Sequence, residues 1–189
     1  MPPCYNSSTM TIPPRHTYID LDTDPDRAKA FLEGVLTAAR VTTIEQVADM
    51  SLKELDWQYA PGWNSVGALL AHVIAIENLF RITELENRKL TKDEALRWLP
   101  GVELGEHVSK LRGKRIGVYL KELAKARELT LQGLDALSSE DLGRCRTGQF
   151  HPDGYNVAWV LYHHVEDEVH HRGQISLLRK LYTHIHGHN

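Results

Sequence analysis

Three side chains that can bind a metal ion lie close together near the end of the chain. His164, Asp167 and His171 are spaced by three and four residues, so they share one face of a helix that turns by about 100° per residue. A buried carboxylate is costly unless it is paired or coordinates a metal. The pattern therefore predicts a divalent cation inside a helical bundle, because the same face carries the apolar residues Val157, Val160, Leu161, Ile175, Leu178 and Tyr182.

The spacing also indicates which side chains would be ligands. Asp167 and His171 are one helical turn apart and can bind one ion, and His72, from another predicted helix, would be the third ligand. Two imidazoles and one carboxylate leave positions open for water or substrate, as in catalytic sites. His164 would be a fourth ligand or support the others. The alternative is that His164, Asp167 and His171 form a hydrogen-bonded network without metal, or face solvent.

Other histidines have weaker patterns. His163 and His170 project towards the edge of the apolar face, where we expect them to support the ligands or lie at the surface. The closing run from His184 to His188 is expected to be a mobile segment that binds metal weakly at most.

Apolar periodicity predicts four main helices and no strand, hence an all-α protein. Helix one begins at Asp24-Pro25, where a capping residue precedes a first-turn proline. A capping box at residues 91–94 predicts a short helix that ends before Pro100. The other main helices are expected from Ser65 to about Asn87, from about Gly113 to Leu137 and from about Asn156 to Tyr182.

An internal repeat suggests how the helices are arranged. Residues 61–73 align without a gap with residues 153–165, and related phrases precede each stretch at 51–55 and 138–142. We therefore expect a four-helix bundle made of two pseudo-repeated helical hairpins. In such a bundle helices two and four face the same interior, so His72 can reach the polar cluster of helix four.

Length and composition limit the class of protein. The chain has 189 residues, of which 42% are hydrophobic and 25% charged, with a formal charge of −3. We expect a tail at residues 1–15 and a single domain at residues 16–189. No apolar run approaches the roughly 18 residues of a membrane span, and no basic patch favours nucleic acid. We expect Cys4 and Cys145 to form no disulfide and find no signal peptide, so the cytoplasm is the predicted location.

Two motifs resemble the DinB-like superfamily, which also contains the YfiT-like proteins. The first is the segment 61–66 followed by Leu70-Ala71-His72, and the second is the segment 170–175, His-His-Arg-Gly-Gln-Ile. The resemblance covers about residues 24–182. It implies a four-helix bundle, often homodimeric, that binds a divalent metal through His72 and through two helix-four ligands spaced by four. His171 matches directly, whereas Asp167 stands where many members have histidine. The mycothiol-dependent maleylpyruvate isomerase branch is similar to this chain in having a carboxylate there.

The resemblance also implies an activity. Characterised relatives mainly carry out transfers or isomerisations with a low-molecular-weight thiol such as bacillithiol or mycothiol, so our first hypothesis is a metal-dependent thiol S-transferase. Its partners would be a small-molecule substrate, the thiol and a second copy of the chain in a homodimer. His164 or Glu168 would orient the ligands or accept the thiol proton. Zinc or nickel is the expected metal, and iron is also compatible.

Two other functions fit the same residues. In a metal-dependent hydrolase, activated water would be the nucleophile in place of a thiol. In a non-catalytic, metal-binding dimeric stress protein, the ion would only stabilise the folded bundle. A thiol requirement in turnover separates the first of these from the transferase.

Overall fold

The computed structural model describes residues 25–148 and 151–187 and confirms the all-α fold class. A π-helical segment, Arg81–Leu85, continues the third α-helix, and a 3₁₀ helix, Gly105–Lys110, follows the fourth. The α-helices are α1 (Pro25–Val47), α2 (Leu52–Asp56), α3 (Val66–Phe80), α4 (Lys92–Glu103), α5 (Ile116–Ala136), α6 (Ser139–Gly143) and α7 (Val157–His186).

Side-chain caps set the helix starts within the two repeated stretches. Ser65 caps α3 and Asn156 caps α7, while Ser51 and Ser138 begin the short helices α2 and α6. In each case the side-chain oxygen accepts a hydrogen bond from the backbone N–H three residues later, which satisfies a donor that the helix leaves unpaired. The two copies of the sequence repeat therefore form equivalent helix starts.

The central helix is α3, which packs against α2, α4, α5 and α7, while α1 packs against α7. Burial of apolar side chains from several helices drives this packing. One buried cluster joins α3 to α5 and α7, and a second lies among α1, α5, α6 and α7. The first includes Leu69, Leu70, Ile74, Leu123 and Ile175, and the second includes Leu36, Leu134, Leu142 and Leu161.

The apolar character of α3 corrects one expectation. Residues Val66–Leu85 are long and apolar enough to meet the length and composition criterion for a membrane span, so the expectation that no segment approaches this criterion is wrong. Within the most apolar window, 61% is buried inside the protein. The core helix of a folded protein is buried in the same way, because other elements cover its apolar surface.

Two helix ends differ from the predictions. α4 continues through Pro100 to Glu103, although proline removes a backbone donor and tends to break helices. Packing stabilises the last turn, since Gly101 is buried against α3. α7 continues past Tyr182 to His186, and the His186 ring packs against Tyr182 and Trp57. The expected mobile histidine segment is therefore helical as far as His186, and His188 lies outside the described residues.

The expectation of no strand is also wrong. β1 (Cys145–Gly148) and β2 (His151–Asn156) pair antiparallel between α6 and α7. The second strand includes a proline and a glycine, which are unfavourable in strand interiors and hide the alternating pattern. Cys145 is disulfide-bonded, which contradicts the expectation of no disulfide and removes the argument from the cysteines for a reducing compartment. The expected tail and Cys4 lie outside the described residues.

Candidate metal centre

His72, Asp167 and His171 meet between α3 and α7. One possible ligand atom from each residue lies within 4.8 Å of the other two. Oδ2 of Asp167 is 3.6 Å from Nε2 of His72, and Oδ1 of Asp167 is 3.3 Å from Nε2 of His171. Among the residues at 25–148 and 151–187, no other group of three such side chains is close enough to hold one ion.

The two long helices run antiparallel and so bring the three side chains together. His72 on α3 meets Asp167 and His171, whereas Glu77, further along α3, meets His164, which is earlier on α7. The spacing of four places Asp167 and His171 on one side of α7. The imidazole rings of His72 and His171 are 4.7 Å apart between centroids and nearly perpendicular.

His72 is oriented by the backbone of α4. Its Nδ1 is 2.9 Å from the carbonyl oxygen of Gly101. A carbonyl can only accept, so Nδ1 carries the proton and Nε2 presents its lone pair to Asp167 and His171. Gly101 is in the last turn of α4, where carbonyl groups have no partner within the helix. Its lack of a side chain permits this approach, because a Cβ there would lie 2.8 Å from Cβ of Ala75 and 2.9 Å from the Ala71 oxygen.

His171 is oriented in the same way by a neighbour on its own helix. Its Nδ1 is 3.1 Å from Oε1 of Gln174, three residues later. The amide oxygen accepts the Nδ1 proton, so Nε2 of His171 is also left with a free lone pair. The amide nitrogen of Gln174 is 2.8 Å from Nε2 of His170. Gln174 lies in the segment 170–175 that resembles the family motif, but the sequence alone predicts no role for it or for Gly101.

The charges at the centre favour an ionised carboxylate. Burial raises the pKa of Asp167, but in the metal-free site the rings of His171 and His72, when they carry a proton on Nε2, outweigh burial and bring this pKa well below its usual range. Burial lowers the pKa of His171, and Asp167 and Gln174 together raise it above the ordinary value. Oδ2 of Asp167 is buried and has no hydrogen-bond partner. A buried, unsatisfied carboxylate oxygen is costly, and a cation beside it would remove that cost.

The donor set fits a divalent transition metal. Two imidazole Nε2 atoms and one carboxylate suit zinc, nickel or ferrous iron, and three protein ligands leave at least one coordination position for another molecule. The three ligand atoms lie within 4.8 Å of one another, so one ion can contact all three. The cluster can therefore hold a divalent metal.

His164 and Glu168 lie in a different polar network, buried between the same helices. Glu168 is fully buried. Its carboxylate accepts hydrogen bonds from Nε of Arg40 at 2.8 Å and from a guanidinium nitrogen of Arg127 at 3.2 Å. Nε2 of His164 is 3.5 Å from Glu77 and 3.4 Å from Arg127, and its Nδ1 has no partner. The structure does not include either residue in the cluster of His72, Asp167 and His171. Their predicted roles in orienting ligands or accepting a proton remain predictions.

Sequence reasoning assigned no role to the other members of this network. In the sequence, Glu77 and Arg127 occupy positions of the predicted second and third main helices, now α3 and α5, where the helical period places apolar residues. A charged residue at such a position indicates a buried polar partner. Arg40 lies on α1 beside the buried Ala39 and Thr43. A charged residue within an apolar stripe indicates a partner from another helix, but a single sequence does not say which one.

His163 and His170 lie outside the metal cluster. His163 stacks on Trp159 with 4.9 Å between ring centroids and contacts Glu166 at 3.1 Å. His170 is exposed and contacts Gln174. His170 therefore contacts the site through Gln174 and through the ring of His171, whose centroid is 5.3 Å from its own.

Comparisons with known proteins identify the family. A model of the DinB superfamily matches residues 35–175. No curated protein matches. Among solved structures, the fold is similar to the crystal structure of a conserved protein from Enterococcus faecalis, with a TM-score of 0.65 and 22% identity, over 81% of this chain and 95% of that chain. Because the family model spans most of the sequence, the chain belongs to the DinB superfamily.

Proposed function

We propose that this protein is a divalent-metal-dependent transferase that conjugates a low-molecular-weight thiol to an electrophilic small molecule. The observation that carries the proposal is the meeting of His72, Asp167 and His171 with three ligand atoms inside 4.8 Å of one another. Three ligands, rather than the four of most structural zinc sites, leave room for a substrate. Membership of the DinB superfamily supports the choice of a thiol as that substrate.

A bound divalent metal would supply Lewis acidity that lowers the pKa of a thiol. The chain's own residues would provide the rest. His72 and His171 would bind the ion through Nε2, since each Nδ1 is held by an acceptor. Asp167 would neutralise one positive charge and fix the ion between the two imidazoles.

The residues near the site differ in their ability to accept the thiol proton. Both carboxylate oxygens of Glu168 accept hydrogen bonds from arginines, which stabilise the ionised form and make Glu168 a weak base. Asp167 has a pKa below its usual range and would serve as a ligand. Solvent or the thiol's own groups would therefore receive the proton.

The test begins with metal content. Untagged protein is equilibrated with Zn²⁺, Ni²⁺ or Fe²⁺, dialysed, and analysed for bound metal. We expect one ion per chain in the wild type, none in His171→Ala, and one in His163→Ala, because His163 is a histidine of α7 outside the cluster. A His171→Ala protein that keeps its metal and its fold would overturn the assignment.

The second stage separates the candidate reactions. Metal-loaded protein is assayed with a chromogenic aryl halide and bacillithiol, mycothiol or glutathione, and separately with activated esters in the absence of thiol. Conjugation that requires both metal and thiol supports the transferase. Ester hydrolysis without thiol would favour the hydrolase, and metal binding without turnover of any substrate would favour the non-catalytic stress protein.

A further inference from the structure

A buried ionic network lies beside the candidate metal centre. It consists of Arg40, Glu77, Arg127, His164 and Glu168, each no more than 7% exposed. Arg40 contacts Glu77 at 2.6 Å and Glu168 at 2.8 Å, and Arg127 contacts the same two carboxylates at 2.6 Å and 3.2 Å. Each arginine therefore bridges both glutamates.

The network connects four helices. Arg40 is on α1, Glu77 on α3, Arg127 on α5 and Glu168 on α7. Arg40 also donates to the carbonyl oxygen of Leu123 on α5 at 2.6 Å, and Arg127 donates to the carbonyl oxygen of Leu36 on α1. Fixed guanidinium geometry makes such contacts directional, so they define helix positions more closely than apolar packing does.

Stability alone is a poor explanation for this arrangement. Desolvating several ions is costly, and replacing a buried ion network by apolar residues of similar size is often neutral or stabilising. Buried ions can instead specify one arrangement of helices among several similar ones.

The network lies next to the candidate metal ligands on both α3 and α7. Glu77 lies five residues after His72 on α3, and Glu168 lies directly after Asp167 on α7. A shift of one residue along an α-helix moves a side chain by about 1.5 Å and rotates it by about 100°. Such a shift of α7 against α3 would separate Asp167 from His72.

We infer that the Arg40–Glu77–Arg127–Glu168 network is a positioning device for the metal centre. It fixes the rotation and register of α7 against α3, so that His72, Asp167 and His171 face one point. The four network residues are positioning residues and do not touch the ion or its substrate. This inference extends the proposed metal site, but its first readout, the contact between two histidine rings, does not depend on metal.

The test compares Glu77→Gln with Leu142→Ala, a buried core substitution on α6 that lowers stability outside the network. In metal-free protein, NMR measures the nuclear Overhauser effect between the His72 and His171 rings, whose centroids are 4.7 Å apart. We expect this effect to be lost or strongly reduced in Glu77→Gln and kept in Leu142→Ala. Zinc titration should then show about tenfold or greater weakening in Glu77→Gln, with an altered Co²⁺ absorption spectrum.

A second variant separates positioning from stability. Replacing the four residues together, by Arg40→Met, Glu77→Leu, Arg127→Met and Glu168→Leu, should keep a cooperative melting transition while the contact between the His72 and His171 rings is lost. If Glu77→Gln keeps the ring contact and wild-type zinc affinity, the inference is wrong. It is also wrong if Leu142→Ala reduces both readouts as much as Glu77→Gln does. Wild-type protein that shows the ring contact but binds none of Zn²⁺, Ni²⁺ and Fe²⁺ would overturn the proposed function instead.

Discussion

Gly101 on α4 holds His72 on α3 through a hydrogen bond of 2.9 Å from Nδ1 to the Gly101 carbonyl oxygen. The contact exists because two helices approach closely at a glycine. It leaves Nε2 of His72 free to bind a metal and fixes the plane of the ring. A residue far from the ligands in sequence therefore determines the protonation and direction of one ligand.

We expect Gly101→Ala to weaken both the fold and metal binding. The new Cβ would lie 2.8 Å from Cβ of Ala75 and 2.9 Å from the backbone oxygen of Ala71, so α4 has to move away from α3. Overpacking of this kind costs about 1–3 kcal/mol in the free energy of unfolding. This movement also takes the carbonyl of residue 101 away from Nδ1 of His72, which should weaken zinc binding by about tenfold or more. Urea unfolding of the metal-free protein and zinc titration measure the two effects.

Gly117→Ala is the matched control. Gly117 is in α5, and a Cβ built there has no heavy atom within 4 Å. Alanine also restricts the unfolded chain, so we expect the free energy of unfolding to stay equal or rise by up to about 1 kcal/mol. Zinc affinity should not change. Equal behaviour of the two alanine variants would show that the close approach at Gly101 has no role.

Gln174→Leu tests the orientation of the other imidazole. Leucine has a similar size but cannot accept the Nδ1 proton of His171, so the ring is free to rotate or change tautomer. We expect zinc affinity to fall by about tenfold or more with little change in the urea midpoint. Gln174→Glu, which keeps an acceptor, should bind zinc nearly as well as wild type. Unchanged affinity in Gln174→Leu would remove Gln174 from the site.

The sequence predicted much of this site because its ligands obey helical spacing. Asp167 and His171 share a helix, so their proximity follows from the period of the helix alone. His72 was placed opposite them by the internal repeat and by resemblance to a family. The predicted starts of the second and fourth main helices, at Ser65 and near Asn156, agree with the structure, in which both side chains cap their helices.

Contacts that depend on tertiary packing could not be predicted in the same way. The Gly101 carbonyl is a backbone group, and no sequence pattern states where a backbone group points. Arg40 belongs to the buried network through partners 37 and 128 residues away along the chain. The turn of α4 through Pro100 likewise depends on packing against α3, which overrides the local preference.

Acid should weaken the protein partly through Glu77. Burial raises the pKa of Glu77, but His164, Arg40 and Arg127 outweigh it and bring the pKa well below the ordinary value of 4.5. A lowered pKa means that the unfolded state binds the proton more readily. The stabilisation is therefore present above the ordinary value and is lost as the pH falls through the lowered pKa.

We expect the difference in unfolding free energy between wild type and Glu77→Gln to shrink as the pH falls from about 6 to about 3. Guanidinium unfolding of the metal-free proteins at several pH values measures this difference. Glu54→Gln is a suitable control, because Glu54 belongs to the surface capping box of α2 and not to the buried network. A difference that is constant over this pH range would mean that Glu77 has the same pKa in the folded and unfolded protein, and one that grows as the pH falls would mean that the folded-state pKa is raised.

Removal of metal should lower the melting temperature without unfolding the protein. The two apolar clusters involve all four long helices and do not require an ion, so the metal-free chain should keep its helical circular dichroism. Metal that binds only the folded state adds about 2.7 kcal/mol when its free concentration is about 100 times Kd. For a chain of this size that corresponds to a rise in Tm of about 5–10 °C. His171→Ala should show no such rise, whereas His163→Ala should show it in full. Loss of helical signal on chelation alone would instead identify the metal as a structural ion on which folding depends.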